Sequence, residues 1–334
     1  MSVKVATNWA DKGLVRALRE HGIHVVFVRN MSLNMSLDHF DLVYYARFVP
    51  PLLDKDAIVV LRKFRNVIYS LHAPLTIDNP IKPTHALYDL MLPPQIYALY
   101  LKGAVVHTLN LDDYRLLEAF CRKLIYMPLG VDTEMFRCRV DKPDIFTIIY
   151  ASRPTWHKGT DLLVNYIMPM ILKKLGDEVR IVITESTSDF LSYLYDKVKG
   201  IRHIELYEHL PATEYAKLLS EAHVLLFPSR YESFARTILD ALASGVIPIA
   251  FNVRGSVRDI LLKTKLNRYV VKYPDLTGFV SRVIELYRLW YRNPNEYRLL
   301  SMFACKVAEQ YSWAKIGRLW AETFKLIAFG EHGV

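Results

Sequence analysis

Cysteine is scarce in this chain. Three residues, Cys121, Cys138 and Cys305, occur among 334, far apart and without a C-x-x-C pair. They offer no structural-zinc pattern, and so few thiols suit a reducing compartment. Glutamine is rarer still, with only Gln95 and Gln310, a composition associated with heat-adapted proteins. No apolar run is long enough to cross a bilayer: residues 90–101 are broken by Pro93 and Pro94, and residues 241–253 by Gly245 and Pro248. Met1-Ser2-Val3-Lys4 leads directly into strand-like residues without an apolar signal core. These absences point to a soluble, cytoplasmic protein, at most peripheral at the inner face of a membrane. No solenoid-length repeat, no metal-ligand spacing and no Ser/His/Asp or Cys/His constellation stands out.

What is present is core-forming material. A hydrophobic fraction of 52% with 23% charged residues supports packed cores, and 334 residues suit two domains. The net charge is +9. It is spread along the chain: residues 1–140 carry 17 basic and 13 acidic side chains, and the remainder 26 and 21. Without a basic tail or arm, nucleic acid is not the indicated partner. Anionic small molecules and an anionic membrane surface both fit.

Short apolar runs alternate with amphipathic segments throughout. Strands are expected at 3–7, 24–29, 42–45, 58–61, 67–71, 104–108 and 124–127. After a polar, Pro-containing linker at 132–144 they resume at 147–151, 179–184, 203–207, 224–227, 247–251 and 269–271. Helices are expected at 14–21, 160–175, 189–199, 212–222, 235–244 and 276–291, and two more close the chain. Alternation of this kind predicts an α/β fold of two Rossmann-like, doubly wound parallel-sheet domains. The expected division is 1–140, completed by a C-terminal helix at about 315–334, and 141–314. Ligands of such sheets bind at the carboxyl ends of the strands.

Two stretches carry chemistry. In 223–250 a buried strand, a polar turn holding Glu232, a helix holding Asp240, the stop Gly245 and a second buried strand follow one another. The start of that helix, at Phe234, Ala235 and Arg236, presents free N–H groups and a partial positive charge, which suit a phosphate. Asp240 can accept hydrogen bonds from vicinal hydroxyls. The second stretch, Ser152-Arg153-Pro-Thr-Trp-His-Lys158-Gly159, follows a strand and precedes a helix. Arg153 offers a bidentate fork and Lys158 a point charge, a pair suited to a diphosphate. Taken singly, each of these residues also reads as an ordinary surface charge on a βα unit.

In combination they resemble the donor site of retaining glycosyltransferase family 4, the GT-B-fold, glycogen-synthase-like and mannosyltransferase-like group 1 enzymes. Glu232 and Asp240 match the two acidic positions of that family's E-x7-E motif, and Arg153 and Lys158 its R-x4-K pair. Pro128-Leu-Gly-Val-Asp-Thr-Glu-Met-Phe136 resembles its P-N-G-V-D-x-x-x-F linker. Asn252-Val-Arg-Gly-Ser-Val-Arg-Asp-Ile260 resembles the segment after the helix, and Tyr311-Ser-Trp-Ala-Lys-Ile316 the closing F-S-W helix. The resemblance covers most of 125–325 in the right order. It implies that Glu232 contacts the donor sugar and Asp240 the ribose. Arg153, Lys158 and the N–H groups of Phe234, Ala235 and Arg236 would hold the diphosphate. Departures are Glu232-Ser233-Phe234-Ala235 for the usual E-G-F-G, Asp240 for glutamate, Leu129 for asparagine, and Thr184-Glu185-Ser186-Thr187 for a glycine-rich loop.

The first half matches less fully. Gly13 is its one candidate for close approach to a donor phosphate. His72, after strand 67–71, falls where the family places an active-site histidine. His107 ends another strand, and a His at either place is also an ordinary structural residue. Asp54-Lys55-Asp56 precedes a strand and reads as a solvated loop, not a metal-binding D-x-D. The implied reaction is metal-independent and retaining. It moves a sugar from a UDP-, GDP- or other nucleotide-sugar to a glycan, lipid-linked or small-molecule hydroxyl, with no cofactor. A nucleotide-sugar epimerase or phosphorylase, and a non-catalytic sugar-nucleotide binder or partner subunit, stay open as alternatives. Peripheral membrane contact would run through Arg62-Lys-Phe-Arg65 or the helix near 112–123.

Overall fold

The computed structural model describes residues 2–9, 11–28, 31, 39–47, 55–73, 75, 103–185 and 190–330. The chain forms two units, Met1–Gly130 with Tyr311–Val334, and Val131–Gln310. Each is built on a parallel sheet that has six strands among the described residues.

In the first unit the elements run β1 (Val3–Thr7), α1 (Lys12–Glu20), β2 (Ile23–Phe27), β3 (Leu42–Arg47), α2 (Lys55–Lys63), β4 (Val67–Leu71), β5 (Val105–Thr108), α3 (Leu111–Leu117) and β6 (Leu124–Tyr126). The sheet order is β2-β1-β3-β4-β5-β6. All five residues of β4 and all four of β5 are buried, the polar Ser70, His107 and Thr108 among them, as expected for central strands of a parallel sheet. Asp11 caps α1 by accepting a hydrogen bond from the Leu14 N–H at 3.0 Å. One expected strand is overturned: residues 58–61 lie inside α2. A four-residue apolar run does not distinguish strand from helix. Here Ala57 and Val60, three apart, are fully buried, with Leu61 and Phe64 packed on the same cluster, so the helical period prevails.

The second unit runs β7 (Phe146–Ala151), α4 (Thr160–Leu162), a π-helical turn (Leu163–Ile167), α5 (Met168–Leu175), β8 (Val179–Glu185), α6 (Leu191–Val198), β9 (Ile204–Glu208), α7 (Ala212–Glu221), β10 (Val224–Phe227), α8 (Arg236–Ala243), β11 (Ile247–Phe251), β12 (Val270–Val271), α9 (Leu276–Arg292) and α10 (Pro294–Glu309). Its order is β12-β11-β10-β7-β8-β9. Pro169 has no N–H for the carbonyl four residues back, and the ladder loosens into the π turn just before it.

The cysteines do not all remain thiols. Cys138 and Cys305 are joined in a disulfide with a Cα–Cα distance of 5.8 Å, which ties the segment before β7 to α10. The expectation from scarcity and spacing is corrected here, because distance along the chain says nothing about distance in the fold. Cys121 is a half-buried free thiol whose pKa burial raises.

The last helix, α11 (Trp313–Ala328), belongs to the first unit. Trp313 fills a slot between two glycines: a Cβ at Gly13 would lie 2.1 Å from its Nε1, and one at Gly130 2.6 Å from its ring. Trp320, fully buried, donates from Nε1 to the Pro128 carbonyl at 3.0 Å. Among the described residues no helix is long and apolar enough to cross a membrane.

Candidate active site

In the second sheet the chain leaves β7 toward β8 and β9, then returns on the other side of β7 with β10. The loops after β7 and β10 therefore diverge at a topological switch point, where parallel sheets bind ligands. The β10–β7 register pairs Val224 with Ile148 and Leu225 with Ile149. Parallel pairing brings the carboxyl ends of both strands to one edge, so residues 152–159 and 228–235 become neighbours.

A buried ion pair locks these two loops together. Arg230 grips Asp161 with Nη1 to Oδ1 at 2.6 Å and Nη2 to Oδ2 at 2.7 Å. The same guanidinium donates from Nη1 to the Trp156 carbonyl at 2.5 Å and from Nε to the Tyr273 hydroxyl at 3.2 Å. Its backbone N–H reaches the His157 carbonyl at 2.8 Å. Burial disfavours the Arg230 charge, but its bonds to Asp161 and Tyr273 outweigh that and hold its pKa above the ordinary value. Gly159 closes the contact. At φ 70° it starts α4, and a Cβ there would lie 2.1 Å from the Pro228 carbonyl oxygen. The rings of His157 and Tyr231 stack at 5.2 Å.

This clip sets Lys158 beside Glu232. Lys158 Nζ donates to Glu232 Oε1 at 2.5 Å, and it also lies 5.7 Å from the Phe227 ring centroid. Glu232 is only 7% exposed, so its charge is held by this cation. Arg153, by contrast, is exposed on the same loop, and among the described residues it makes no ion pair. Among the described residues Lys158 and Arg230 are thus engaged by carboxylates, while the exposed Arg153 is not.

The start of α8 has alanine, a poor cap, at its N-cap position. The Ser256 hydroxyl supplies the missing acceptor, taking the Ala235 N–H at 2.7 Å. Arg236 directs its N–H to the Phe234 carbonyl at 3.1 Å. Of the three N–H groups expected to hold a phosphate, two therefore have protein partners in this state. Ser256 is held by Gly255, whose φ of 101° and close approach to the Glu232 carbonyl (a Cβ would lie 1.8 Å from that oxygen) exclude a side chain. Asp240 is partly exposed on α8. Burial first, and then the Asp240 charge, hold the Tyr215 phenol well above its ordinary pKa, which places Asp240 beside α7. Phe136 packs edge-on to Tyr215 at 5.7 Å. Asp132 positions that phenylalanine by accepting from the N–H groups of Glu134 and Met135 at 3.1 and 3.0 Å.

Gly13 and His72 lie in the first unit. Gly13, inside α1, has its Cα side filled by Trp313, a packing reason for glycine that needs no ligand. His72 follows β4, with Nε2 3.0 Å from the Tyr44 hydroxyl and its ring 4.4 Å from that of Trp9. His107 is fully buried in β5. Asp54, Ser186 and Thr187 lie outside the described residues. Reading along the chain missed Asp161, Arg230, Tyr273 and Ser256. Arg230 and Ser256 sit inside the motif stretches, but nothing in the spacing says that they face other loops.

Comparison with known proteins agrees with this fold. Fold and switch point define a GT-B architecture. A sucrose-phosphate synthase from Thermosynechococcus elongatus superposes with a TM-score of 0.76 at 13% identity, covering 98% of this chain and all of that one. HepE from Anabaena, solved in complex with UDP-glucose, gives 0.67 at 13% identity over 97% and 99%. Residues 133–298 match the family model described as glycosyl transferases group 1. A phosphatidylinositol N-acetylglucosaminyltransferase subunit from Arabidopsis thaliana is 30% identical over 143 residues, which are 42% of this chain and 31% of that protein. The curated relatives are longer, and the chain aligns with less than half of each of the first three.

Proposed function

We propose that the protein is a retaining glycosyltransferase that moves a sugar from a nucleotide-diphosphate donor to an acceptor hydroxyl. The observation that carries this reading is the meeting of Lys158 and Glu232 at the switch point, with Arg153 exposed on the same loop. Arg153, Lys158 and the start of α8 bind the donor diphosphate and neutralise the charge that grows as it leaves, without calling on a metal ion. Glu232 contacts the sugar and Asp240 the ribose. His72 takes a hydroxyl of sugar or acceptor.

In the reaction the bond from the anomeric carbon to the diphosphate oxygen breaks and its electron pair leaves with the diphosphate. The acceptor oxygen attacks the same face, and its proton passes to the departing phosphate. The carboxylates near the site support this route over double displacement. Glu232 is neutralised by Lys158, and Asp161 is gripped by Arg230. On donor binding Lys158 keeps Glu232 and turns its remaining N–H donors to the diphosphate, and phosphate oxygens take the Ala235 N–H from Ser256. The Arabidopsis relative's name and the Anabaena complex support a lipid-linked or glycan acceptor and a UDP-sugar donor.

The test is a thermal-shift panel of nucleoside diphosphates and nucleotide sugars on the wild type, Arg153→Ala and Glu232→Ala. A nucleoside diphosphate should raise the wild-type midpoint, and Arg153→Ala should abolish most of that shift. Equal binding by Arg153→Ala would refute the site. Binding without transfer to any acceptor extract would favour the non-catalytic binder instead.

A further inference from the structure

Behind His72 lies a chain of hydrogen bonds whose direction can be derived from its far end. His107 is fully buried in β5, with Nε2 2.8 Å from the Met127 carbonyl. A carbonyl only accepts, so Nε2 carries the proton. Burial keeps the ring neutral, with its pKa down to about 4, and Nδ1 therefore bears a lone pair. Ser70 Oγ lies 2.7 Å from that Nδ1 and must donate to it. Having spent its single proton, Ser70 accepts from the Tyr44 hydroxyl, also at 2.7 Å. The Tyr44 hydroxyl, a donor toward Ser70, is in turn an acceptor toward His72 Nε2 at 3.0 Å. The burial that raises the Tyr44 pKa keeps this phenol protonated.

We infer that the Met127–His107–Ser70–Tyr44 chain is a positioning relay that fixes the His72 ring as its Nε2–H tautomer. No carboxylate takes part in these bonds, so the relay orients the ring rather than strengthening it as a base. The surroundings hold it in place. Trp320 packs edge-on to His107 at 4.9 Å and to Tyr44 at 5.4 Å. Trp9 is set against His72 by its N–H to Thr7 Oγ1 at 3.1 Å, while Asn8 exchanges two hydrogen bonds with Ala46 across β3 at 2.7 and 2.8 Å. A ring so fixed presents a single orientation to a hydroxyl of sugar or acceptor. That role in transfer rests on the glycosyltransferase reading; the tautomer itself does not.

The experiment separates the two. Two-bond 1H–15N spectra of the full, 15N-histidine-labelled chain at neutral pH, with His72 assigned from a His72→Asn variant, should show a single Nε2–H tautomer at His72 and at His107. In Tyr44→Phe, which keeps the ring and removes its oxygen, His72 should become a mixture while His107 stays Nε2–H. Ser70→Ala should perturb His72 less than Tyr44→Phe, because the Tyr44 hydroxyl also lies 3.4 Å from His107 Nδ1 and can donate there directly; circular dichroism checks the fold of both. A Nδ1–H tautomer at His72 in the wild type, or a His72 spectrum unmoved by Tyr44→Phe, overturns the inference whatever the activity. In transfer assays Tyr44→Phe should lower kcat about tenfold, roughly the loss of one well-placed hydrogen bond, with little change in donor KM. In a His72→Ala background it should cost nothing more. Additive losses would overturn the positioning role. Absence of any transfer would count against the proposed function, and the spectra would still decide the tautomer.

Discussion

A neutral histidine walled in by aromatic rings must be kept from protonating for the fold to hold. His223 is fully buried, accepts the Thr147 N–H on Nδ1 at 3.0 Å, and is surrounded by Phe146, Trp290 and Tyr297. Burial, then the nearby Lys142 charge, push its pKa down to about 3, and burial holds His107 at about 4. Both folded values lie below the unfolded one, so the unfolded chain binds more protons in acid. The stability these groups confer is complete above about pH 6.5 and drains away as the pH falls toward their folded values. Denaturant unfolding at pH 7 and pH 5 should therefore differ by roughly 2 kcal/mol per histidine, and His223→Gln should flatten the dependence. The two clamp cations should also separate. Arg153→Ala and Lys158→Ala should both weaken nucleoside-diphosphate binding, but only Lys158→Ala should lower the midpoint without ligand, because it leaves the buried Glu232 charge unpaired.

At the scale of elements, the site depends on two loops that belong to different βα units and are held by one buried pair. Asp161→Ala strands the Arg230 guanidinium, and a loss of about 3–5 kcal/mol is expected, read by denaturant unfolding. The start of α8 makes a finer prediction. Gly255→Ala must break the contact with the Glu232 carbonyl or leave its left-handed conformation. It should cost roughly 1–3 kcal/mol and, by displacing Ser256, weaken nucleotide binding beyond the loss of stability. The order of elements could be read from the chain because apolar runs alternate with amphipathic ones, and β1, β4, β10 and β11 fall where the pattern puts them. Residues 58–61 failed that reading because a short apolar run carries no period of its own.

For the whole molecule, the Cys138–Cys305 bond closes a loop of 167 residues within the second unit. Cys305→Ala, or full reduction, should lower the stability of that unit by about 2–4 kcal/mol; thiol counting by mass under denaturing conditions gives the oxidised fraction directly. The candidate residues Arg153, Lys158, Glu232 and Asp240 could be singled out in the sequence, since their types and spacing suit a diphosphate and a sugar. So could the pair of Rossmann-like parallel-sheet domains, because strand and helix periodicity is local and parallel crossovers have one hand. The partnerships could not. That Arg230 grips Asp161, that Ser256 caps α8, that Trp313 fills the space at Gly13 and Gly130, that two distant cysteines join, and that Tyr44, Ser70 and His107 stand in line behind His72 all depend on which strand lies beside which. Sequence reports each residue's own preferences. Which partner satisfies them is a property of the three-dimensional arrangement, and only the tertiary structure decides it.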